Sequence, residues 1–402
     1  MNILYLSALV PFPVTDGDKV RAFWTLRALA GRHRVWGFFL DPENRGSLPG
    51  PVRRLCAGAR VIPLSGSTRA SRVFFGALKG LPVHSYAFWT PRIQARLAGA
   101  LSRWPVEACH VHRIRMMPYA ERLGLPYQLD ATDSISAYFR RAARLPGWRR
   151  LYAAADRRRV ESCERRWGNG AAAVIAISSE ERLNLVRLGI RAPVVVAPNG
   201  LDPGHWRDAR LRREPGLLAF VGNLGYPPNV MGLEWFLREV APAIRRRAPD
   251  ARLVIAGGAA PAGLRAAAAS CPLPVRFAGF VPDVRRLLWR SAASICPLPL
   301  AAGLQNKAVQ AMFCGAPVVA TPNVARVIGA RNGIEAAVAA TPPAFAAATV
   351  RVISEPRAAR AMAVRARRLV ARRFTESAAR RGIDRATALL ARAAFGEVNR
   401  WS

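Results

Sequence analysis

The segment with the strongest chemical signal spans residues 301–321, where a glycine-containing loop is predicted to lead from a strand at 293–297 into a short helix. Gly303 lies in the loop, the helix is expected to begin near Gln305, and Lys307 falls in its first turn. Free backbone N–H groups and the positive end of the helix dipole suit a phosphate there. Lys307 would add a mobile positive charge, so the segment predicts a diphosphate site. The alternative is an ordinary strand–helix corner with one exposed lysine.

A second glycine loop, at residues 13–21, follows the first predicted strand and precedes a helix. Gly17 would let the backbone approach a phosphate or a sugar, and Lys19 could contact a phosphate or an acceptor. The alternative is that Asp16 or Asp18 simply caps the helix, and both interpretations can hold together.

Polar residues also follow two further predicted strands. His112 ends the strand at 108–112 and is expected at the rim of the site, with His110 deeper on the same side. Asp130 and Asp133 come after Tyr127–Leu129 of the next strand and are expected at the next rim, where either could orient a sugar hydroxyl or an acceptor, or cap the helix expected near Ser134. A lone histidine at a strand end is also commonly structural.

The sequence contains no recognisable metal-binding pattern. Its only Asp-x-Asp is Asp16-Gly-Asp18, which lies in the glycine loop, and H-E-x-x-H is missing. Stabilisation of negative charge is therefore assigned to Lys and Arg, and no metal site is expected.

These residues need a scaffold that brings strand ends together. Short apolar runs alternate with longer Ala/Leu/Arg segments of helical period, which is the pattern of parallel βα units. Open sheets of this kind bind ligands beyond the carboxyl ends of their strands, where the polar residues fall. The predicted strands are 3–9, 34–39, 59–63, 108–112, 127–131, 172–177, 194–198, 217–222, 252–257, 275–279, 293–297, 317–320 and 336–340.

Length and composition predict a folded, multi-domain protein. The chain has 402 residues, of which 51% are hydrophobic and 21% charged, far from the composition of disordered proteins. The turn-rich stretch after residue 198 is the expected boundary between two domains. We expect a first α/β domain at 1–198, a linker at 199–215, a second α/β domain at 216–380 and a closing helix at 381–402.

The net charge of +36, from 61 Lys+Arg against 25 Asp+Glu, would attract nucleic acid, anionic lipid or phosphorylated ligands. Only Lys19, Lys79 and Lys307 are lysines, and long alanine runs accompany the arginines, which is typical of a GC-rich coding sequence. No helix-turn-helix, RNP or zinc-finger pattern is present. Nucleic acid binding thus remains a rival hypothesis supported by charge alone.

Other features predict a cytoplasmic protein with reduced thiols. The six cysteines form no C-x-x-C, the N-terminus lacks the pattern of a signal peptide, and no apolar run reaches the roughly 20 residues that cross a bilayer. Aromatic residues among arginines suit peripheral docking on an anionic membrane face, the alternative being core aromatics with solvated arginines. These segments are 73–75, 88–89, 104 and 148–152.

Four blocks in order along the chain resemble the donor-binding half of retaining GT-B glycosyltransferases, family 4-like (group 1). The blocks are 220–236, 253–258, 279–283 and 303–321. Residues 17–21 and 303–307 resemble more narrowly the sugar transferases of bacterial exopolysaccharide systems. The resemblance spans nearly the whole chain and implies two Rossmann-like domains that face a central cleft, with the C-terminal helix crossing back to the first domain.

The resemblance implies roles for individual residues. The donor would be a nucleotide-diphosphate sugar, with no other cofactor, and catalysis would rest on Lys307 at the diphosphate and His112 at the transferred sugar. Phe280, for which a core position is the alternative, and Val281 would face the base. The implied donor-binding residues are Gly17, Gly222, Asn223, Phe280, Val281, Gly303, Leu304, Gln305, Asn306 and Gln310. The sugar or acceptor side would comprise Asp18, Lys19, Asp130 and Asp133.

The sequence departs from the family pattern at three positions. Asn223 stands where an arginine commonly holds the diphosphate, and Ala302 and Gln310 occupy the places of two glutamates spaced eight apart. Gln310 can still bond ribose hydroxyls, but without charge. These departures leave open a weakened enzyme.

Taken together, the sequence predicts a retaining, metal-independent transfer of a hexose to a saccharide or lipid-linked acceptor in exopolysaccharide or cell-surface glycan synthesis. The alternatives are a nucleic-acid-binding protein and a catalytically weakened GT-B protein. A nucleotide-sugar epimerase would need an acidic pair for acid/base chemistry, and no convincing pair is evident.

Overall fold

The computed structural model describes residues 1–14, 17–44, 46–64, 82, 85, 88–142, 148–209, 211–299 and 303–396, and for 141, 142 and 148–155 it describes the backbone alone. Asp16, Lys79, Ala302 and the aromatic segment at 73–75 therefore lie outside the described residues. So do the side chains of the segment at 148–152.

The chain divides into two compact units, Met1–Gly200 together with Glu376–Ser402, and Leu201–Thr375. The last helix thus belongs to the first unit, and it begins at Glu376, five residues before the expected closing helix at 381. Its inner residues Ile383 and Ala386 are buried in one apolar cluster with Ile3 and Val35 of the first sheet. This burial is the physical reason why the helix returns to the first unit.

The first unit contains a parallel sheet with the order β3-β2-β1-β4-β5-β6-β7. Ile3, Leu4, Tyr5 and Leu6 of β1 are all fully buried, as expected for a parallel strand covered on both faces. The strands are β1 (Asn2–Ser7), β2 (Arg34–Asp41), β3 (Gly58–Pro63), β4 (Ala108–His112), β5 (Tyr127–Thr132), β6 (Ala173–Ala176) and β7 (Val194–Val196).

The helices of the first unit connect these strands, and a 3₁₀ turn, Ile114–Met116, follows β4. They are α1 (Gly17–Ala30), α2 (Gly50–Arg53), α3 (Pro91–Leu101), α4 (Met117–Ala120), α5 (Ile135–Ala142), α6 (Trp148–Asn169), α7 (Ser179–Arg187) and α16 (Glu376–Phe395).

The second unit repeats the pattern with a parallel sheet in the order β10-β9-β8-β11-β12-β13. Its strands are β8 (Glu214–Val221), β9 (Arg252–Ala256), β10 (Val275–Gly279), β11 (Ser291–Cys296), β12 (Val318–Ala320) and β13 (Ala337–Val338). Its helices are α8 (Pro227–Trp235), α9 (Ala241–Arg247), α10 (Ala262–Ala269), α11 (Arg285–Arg290), α12 (Asn306–Phe313), α13 (Pro322–Ile328), α14 (Pro342–Ser354) and α15 (Pro356–Arg373). A π-helical segment, Phe236–Val240, separates α8 from α9.

All thirteen strands predicted from the sequence are present, with ends that differ by a few residues. The largest difference is at β8, which begins at Glu214, inside the expected linker, because Glu214 pairs with Ser291 of β11. No helix among the described residues is long and apolar enough to cross a membrane.

Candidate functional site

Lys307 lies in the first turn of α12, directly after the loop that leaves β11. Gly303 in that loop has φ +64°, a left-handed conformation that glycine adopts without strain. The apolar side of α12, with Ala308, Val309 and Met312 buried, fixes the helix against the unit core. Two features of the sequence therefore position Lys307: the glycine that allows the loop to turn before the helix, and the apolar face that holds the helix against the core.

The Lys307 side chain also meets the loop that leaves β8. Its Nζ donates to Asn229 Oδ1 at 2.5 Å and lies 5.3 Å from the centre of the Phe220 ring. A Cβ at Gly222 would stand 3.0 Å from Lys307 Cε, so the missing side chain at Gly222 makes room for the lysine. The carboxyl ends of β8 and β11 thus converge on one ammonium group.

The partners of this ammonium group are neutral. Gln305 Oε1 lies 3.4 Å from Lys307 Nζ, and no carboxylate in the described part of the chain lies within ion-pair distance of that nitrogen. Burial lowers the pKa of Lys307 to about 8. An anion bound here would therefore restore the charged form of the lysine.

The other residues predicted to bind the donor differ in their exposure to solvent. Asn223 is exposed: its Oδ1 accepts from the Gly225 N–H at 2.8 Å, and its carbonyl accepts from Asn229 Nδ2 at 2.7 Å. Gly303, Leu304 and Gln305 are buried, and Asn306 is half-buried. Gln310 is half-buried one turn after Lys307 on α12, whereas Ala302 lies outside the described residues.

Phe280 and Val281 follow β10. The Phe280 side chain is 72% exposed, so the alternative of a core position is wrong. Val281 lines a cavity of about 660 Å³ formed by β8, β9, β10 and α11. None of the groups that contact Lys307 lines this cavity.

A buried ion pair that sequence reasoning missed lies in the first unit. Arg21 of α1 donates from Nε and Nη2 to the two carboxylate oxygens of Asp130, at 2.8 and 3.0 Å. Its Nη1 donates to the carbonyls of Ala197 and Pro198. The available sequence signal was the position of Arg21 at the end of the glycine-loop motif at 13–21.

This pairing sets the charge of Asp130. Burial raises the pKa of Asp130, but the Arg21 guanidinium and His112 outweigh it and hold that pKa well below its usual range. Asp130 is therefore an ionised structural carboxylate with both oxygens occupied, and it is not exposed at a rim as expected.

The two histidines of β4 are also buried. His112 is 1% exposed, with Nδ1 3.8 Å from Asp130 Oδ2, so its expected place at the rim is wrong: β4 is a central strand, and its last side chain lies within the unit. His110 Nδ1 pairs with Gln128 Nε2 at 2.9 Å, and burial lowers the pKa of His110 to about 3.

Acidic residues of the predicted acceptor side cluster around Arg113. Arg113 Nη2 donates to Asp18 Oδ1 and lies 3.9 Å from Asp133 Oδ2. Burial raises the pKa of Asp133 to about 6 in spite of Arg113. Gly17 is exposed at the start of α1, whereas Lys19 pairs with Glu43 Oε1 at 2.5 Å.

The structure also brings together three potential metal ligands that the sequence analysis did not group. One ligand atom each from His110, His112 and Asp130 lies within 4.8 Å of the others. A cation there would face the Arg21 guanidinium, which already occupies both oxygens of Asp130. The chemistry of this donor set therefore fits a metal poorly.

Comparisons with known proteins match one segment of the chain to a family model. Residues 215–355 match the family model Glycosyl transferases group 1. No curated protein sequence matches the chain significantly. The matched segment lies within the second unit and contains Lys307.

Several solved structures share the fold over nearly their full length. HepE from Anabaena, in complex with UDP-glucose, has a TM-score of 0.69 and 15% identity, covering 96% of this chain and 99% of that chain. Sucrose-phosphate synthase from Thermosynechococcus elongatus has a TM-score of 0.75 and 16% identity, covering 98% and 100%. A TarM variant from S. aureus, in complex with UDP among other ligands, has a TM-score of 0.70 and 8% identity, covering 97% and 99%.

These likenesses establish the fold class. The chain has the two Rossmann-like α/β units of the GT-B fold, which confirms the fold expected from the sequence motifs.

Proposed function

We propose that this protein is a retaining, metal-independent glycosyltransferase that moves a hexose from a nucleotide-diphosphate sugar to a saccharide or lipid-linked acceptor. Its product would belong to exopolysaccharide or another cell-surface glycan. The proposal includes a cytoplasmic location with peripheral contact at the inner face of the plasma membrane. The observation that supports it most directly is that the Lys307 ammonium group contacts only neutral groups among the described residues. Lys307 lies inside the segment that matches the group 1 family.

The chemistry follows from the leaving group. When the sugar leaves the donor, negative charge develops on the nucleoside diphosphate, and a preorganised cation beside it lowers the barrier. Lys307 supplies that cation, and the N–H groups at the start of α12 supply further donors. Asn223 adds hydrogen bonding without charge, so Lys307 carries more of the electrostatic stabilisation here.

Two further groups of residues are proposed to bind the base and the acceptor. Phe280, exposed beside Val281, offers an aromatic face and backbone groups to the base. In the first unit, Asp18 and Asp133 around Arg113 form the polar surface proposed for the acceptor side.

A donor screen by thermal shift tests the proposal. UDP-, GDP- and ADP-sugars are compared, because a ligand that binds only the folded state raises its stability by RT ln(1 + [L]/Kd). One sugar nucleotide should raise the melting temperature of the wild-type protein and not that of Lys307→Ala. If none of the three raises it, the proposed donor class is wrong.

The pKa of Lys307 predicts a pH dependence of donor binding. Since burial depresses this pKa to about 8, the free protein loses the ammonium charge as pH rises through 8, and affinity for UDP-glucose should fall between pH 7 and 9. Calorimetry with wild type and Lys307→Arg measures the effect. The arginine variant keeps its charge and should show a flatter profile; equal profiles would contradict the assignment.

Turnover is expected to survive excess EDTA. The three grouped ligand atoms in the first unit include an Asp130 carboxylate already bonded by Arg21, and in the second unit Lys307 is the group proposed to stabilise the diphosphate. Initial rates are measured with EDTA, and again after Mn²⁺ or Mg²⁺ is restored. Loss of activity that either ion reverses would disprove metal independence.

Gln310→Glu tests the ribose-binding role. A carboxylate accepts charge-strengthened hydrogen bonds from ribose hydroxyls, so UDP should bind several-fold more tightly, a gain of about 1 kcal/mol. Calorimetry compares the two proteins. Unchanged affinity would remove Gln310 from the site, and a tenfold weakening would mean that the pocket is built around an amide.

A further inference from the structure

A second arginine beside the Arg113 cluster has no role in the contacts described so far. Arg115 lies in the 3₁₀ turn Ile114–Met116 after β4, and its side chain is half-buried. Its guanidinium carbon lies 5.4 Å from the centre of the Phe88 ring. An aromatic face packed against a guanidinium group leaves the N–H donors at its edge available.

The neighbouring carboxylates pair with Arg113 and not with Arg115. Asp18 and Asp133 both interact with Arg113, and within the described residues no carboxylate lies within ion-pair distance of Arg115. Arg115 lies near enough to Asp18 to help lower the pKa of that carboxyl, but it makes no ion pair with it. Arg113 Nε is also buried without a hydrogen-bond partner.

The backbone at this position is unusual as well. Arg113 has φ +65° and Thr132 has φ +62°, and these residues follow or end the neighbouring strands β4 and β5. Non-glycine residues in this region carry strain, which concentrates at functional sites. Arg115 and the strained backbone both lie at the carboxyl end of the same sheet, where α/β sheets bind ligands.

We propose that Arg115, with Arg113, binds a phosphate group carried by the acceptor. This inference rests on the proposed function, because it names the chemical class of the acceptor: a phosphorylated saccharide or a saccharide on a lipid phosphate. The planar fork of Arg115 suits bidentate contact with a phosphate. Asp18 and Asp133 would accept hydrogen bonds from hydroxyls of the same acceptor.

The test uses calorimetry with glucose 6-phosphate and glucose, on wild type and Arg115→Gln. Glucose 6-phosphate should bind the wild type at least tenfold more tightly than glucose, and Arg115→Gln should lose most of that difference. Arg122→Gln is the matched control, because Arg122 stacks on Trp89 at 5.3 Å in the same unit. Equal binding of glucose 6-phosphate by wild type and Arg115→Gln would overturn the inference.

A second binding experiment, with lipid vesicles, distinguishes a phosphate on a lipid from a phosphate on a sugar. If phosphatidylglycerol vesicles, and not glucose 6-phosphate, bind in a manner that depends on Arg115, the phosphate group belongs to a lipid. Phosphatidylcholine vesicles control for general adsorption. If neither probe depends on Arg115, the inference is wrong.

Two further variants separate this inference from the proposed function. Lys307→Ala should keep the Arg115-dependent binding of glucose 6-phosphate; loss of that binding in Lys307→Ala alone would place the phosphate in the second unit and overturn the inference. If Lys307→Ala leaves UDP-glucose binding unchanged, the proposed function fails while the phosphate site stands. Arg115→Lys, which keeps the charge but not the fork, gives an intermediate affinity and replaces Arg115→Gln if that variant does not fold.

Discussion

Lys307→Ala is expected to remove most turnover while the protein stays folded. The substitution deletes the cation proposed to stabilise the leaving diphosphate, and loss of one preorganised electrostatic partner raises a barrier by about 2 to 4 kcal/mol. That corresponds to a fall in kcat of roughly 30- to 1000-fold. Initial rates with the preferred sugar nucleotide measure the loss of turnover, and thermal unfolding shows whether the protein stays folded.

Two variants at the same position separate charge from packing. Lys307→Met retains much of the side-chain volume against Phe220 without the charge and should behave like Lys307→Ala. Lys307→Arg retains the charge and should keep more activity than either. Turnover of Lys307→Ala within threefold of the wild type would remove Lys307 from the catalytic site.

Arg21→Met is expected to cost about 3 to 5 kcal/mol of the free energy of unfolding, because it leaves the buried Asp130 carboxylate without its partner. Arg21 is 2% exposed and Asp130 fully buried, so water cannot replace the lost hydrogen bonds. Urea denaturation of both proteins measures the difference. The carbonyls of Ala197 and Pro198 would lose their donor as well.

Arg27→Met is the matched control on the same helix. The side chain of Arg27 is 55% exposed and pairs with Glu376 at 3.4 Å, a surface contact worth about 0 to 1 kcal/mol. A loss of stability in Arg21→Met no larger than in Arg27→Met would show that the buried pair contributes little.

The same pair predicts how stability changes with acid. The pKa of Asp130 is held below its unfolded value of about 4, so its contribution to stability is present above that pH and is lost as pH falls toward the folded-state pKa. Arg21→Met should weaken this acid-dependent loss. Urea denaturation at pH 7 and at pH 3 compares the two proteins.

The fold was largely predictable from local sequence. Apolar runs such as Ile3–Leu6 between turn residues predict buried strands, and helical periodicity between them predicts parallel βα units, because both patterns depend on near neighbours in the chain. The position of Lys307 in the first turn of a helix after a glycine loop is likewise a local property, and the structure has it there.

The partners of the polar side chains depended on the tertiary structure. Arg21 and Asp130 are 109 residues apart, and Lys307 and Asn229 are 78 apart, so no periodicity could reveal that they bond. The burial of His112 and the exposure of Phe280 were likewise decided by what packs against the end of each strand. The sequence determined which elements form and which groups follow their ends, since these depend on local interactions. The tertiary structure alone decided which charges meet and which stay unpaired, because packing brings together residues that are distant in the chain.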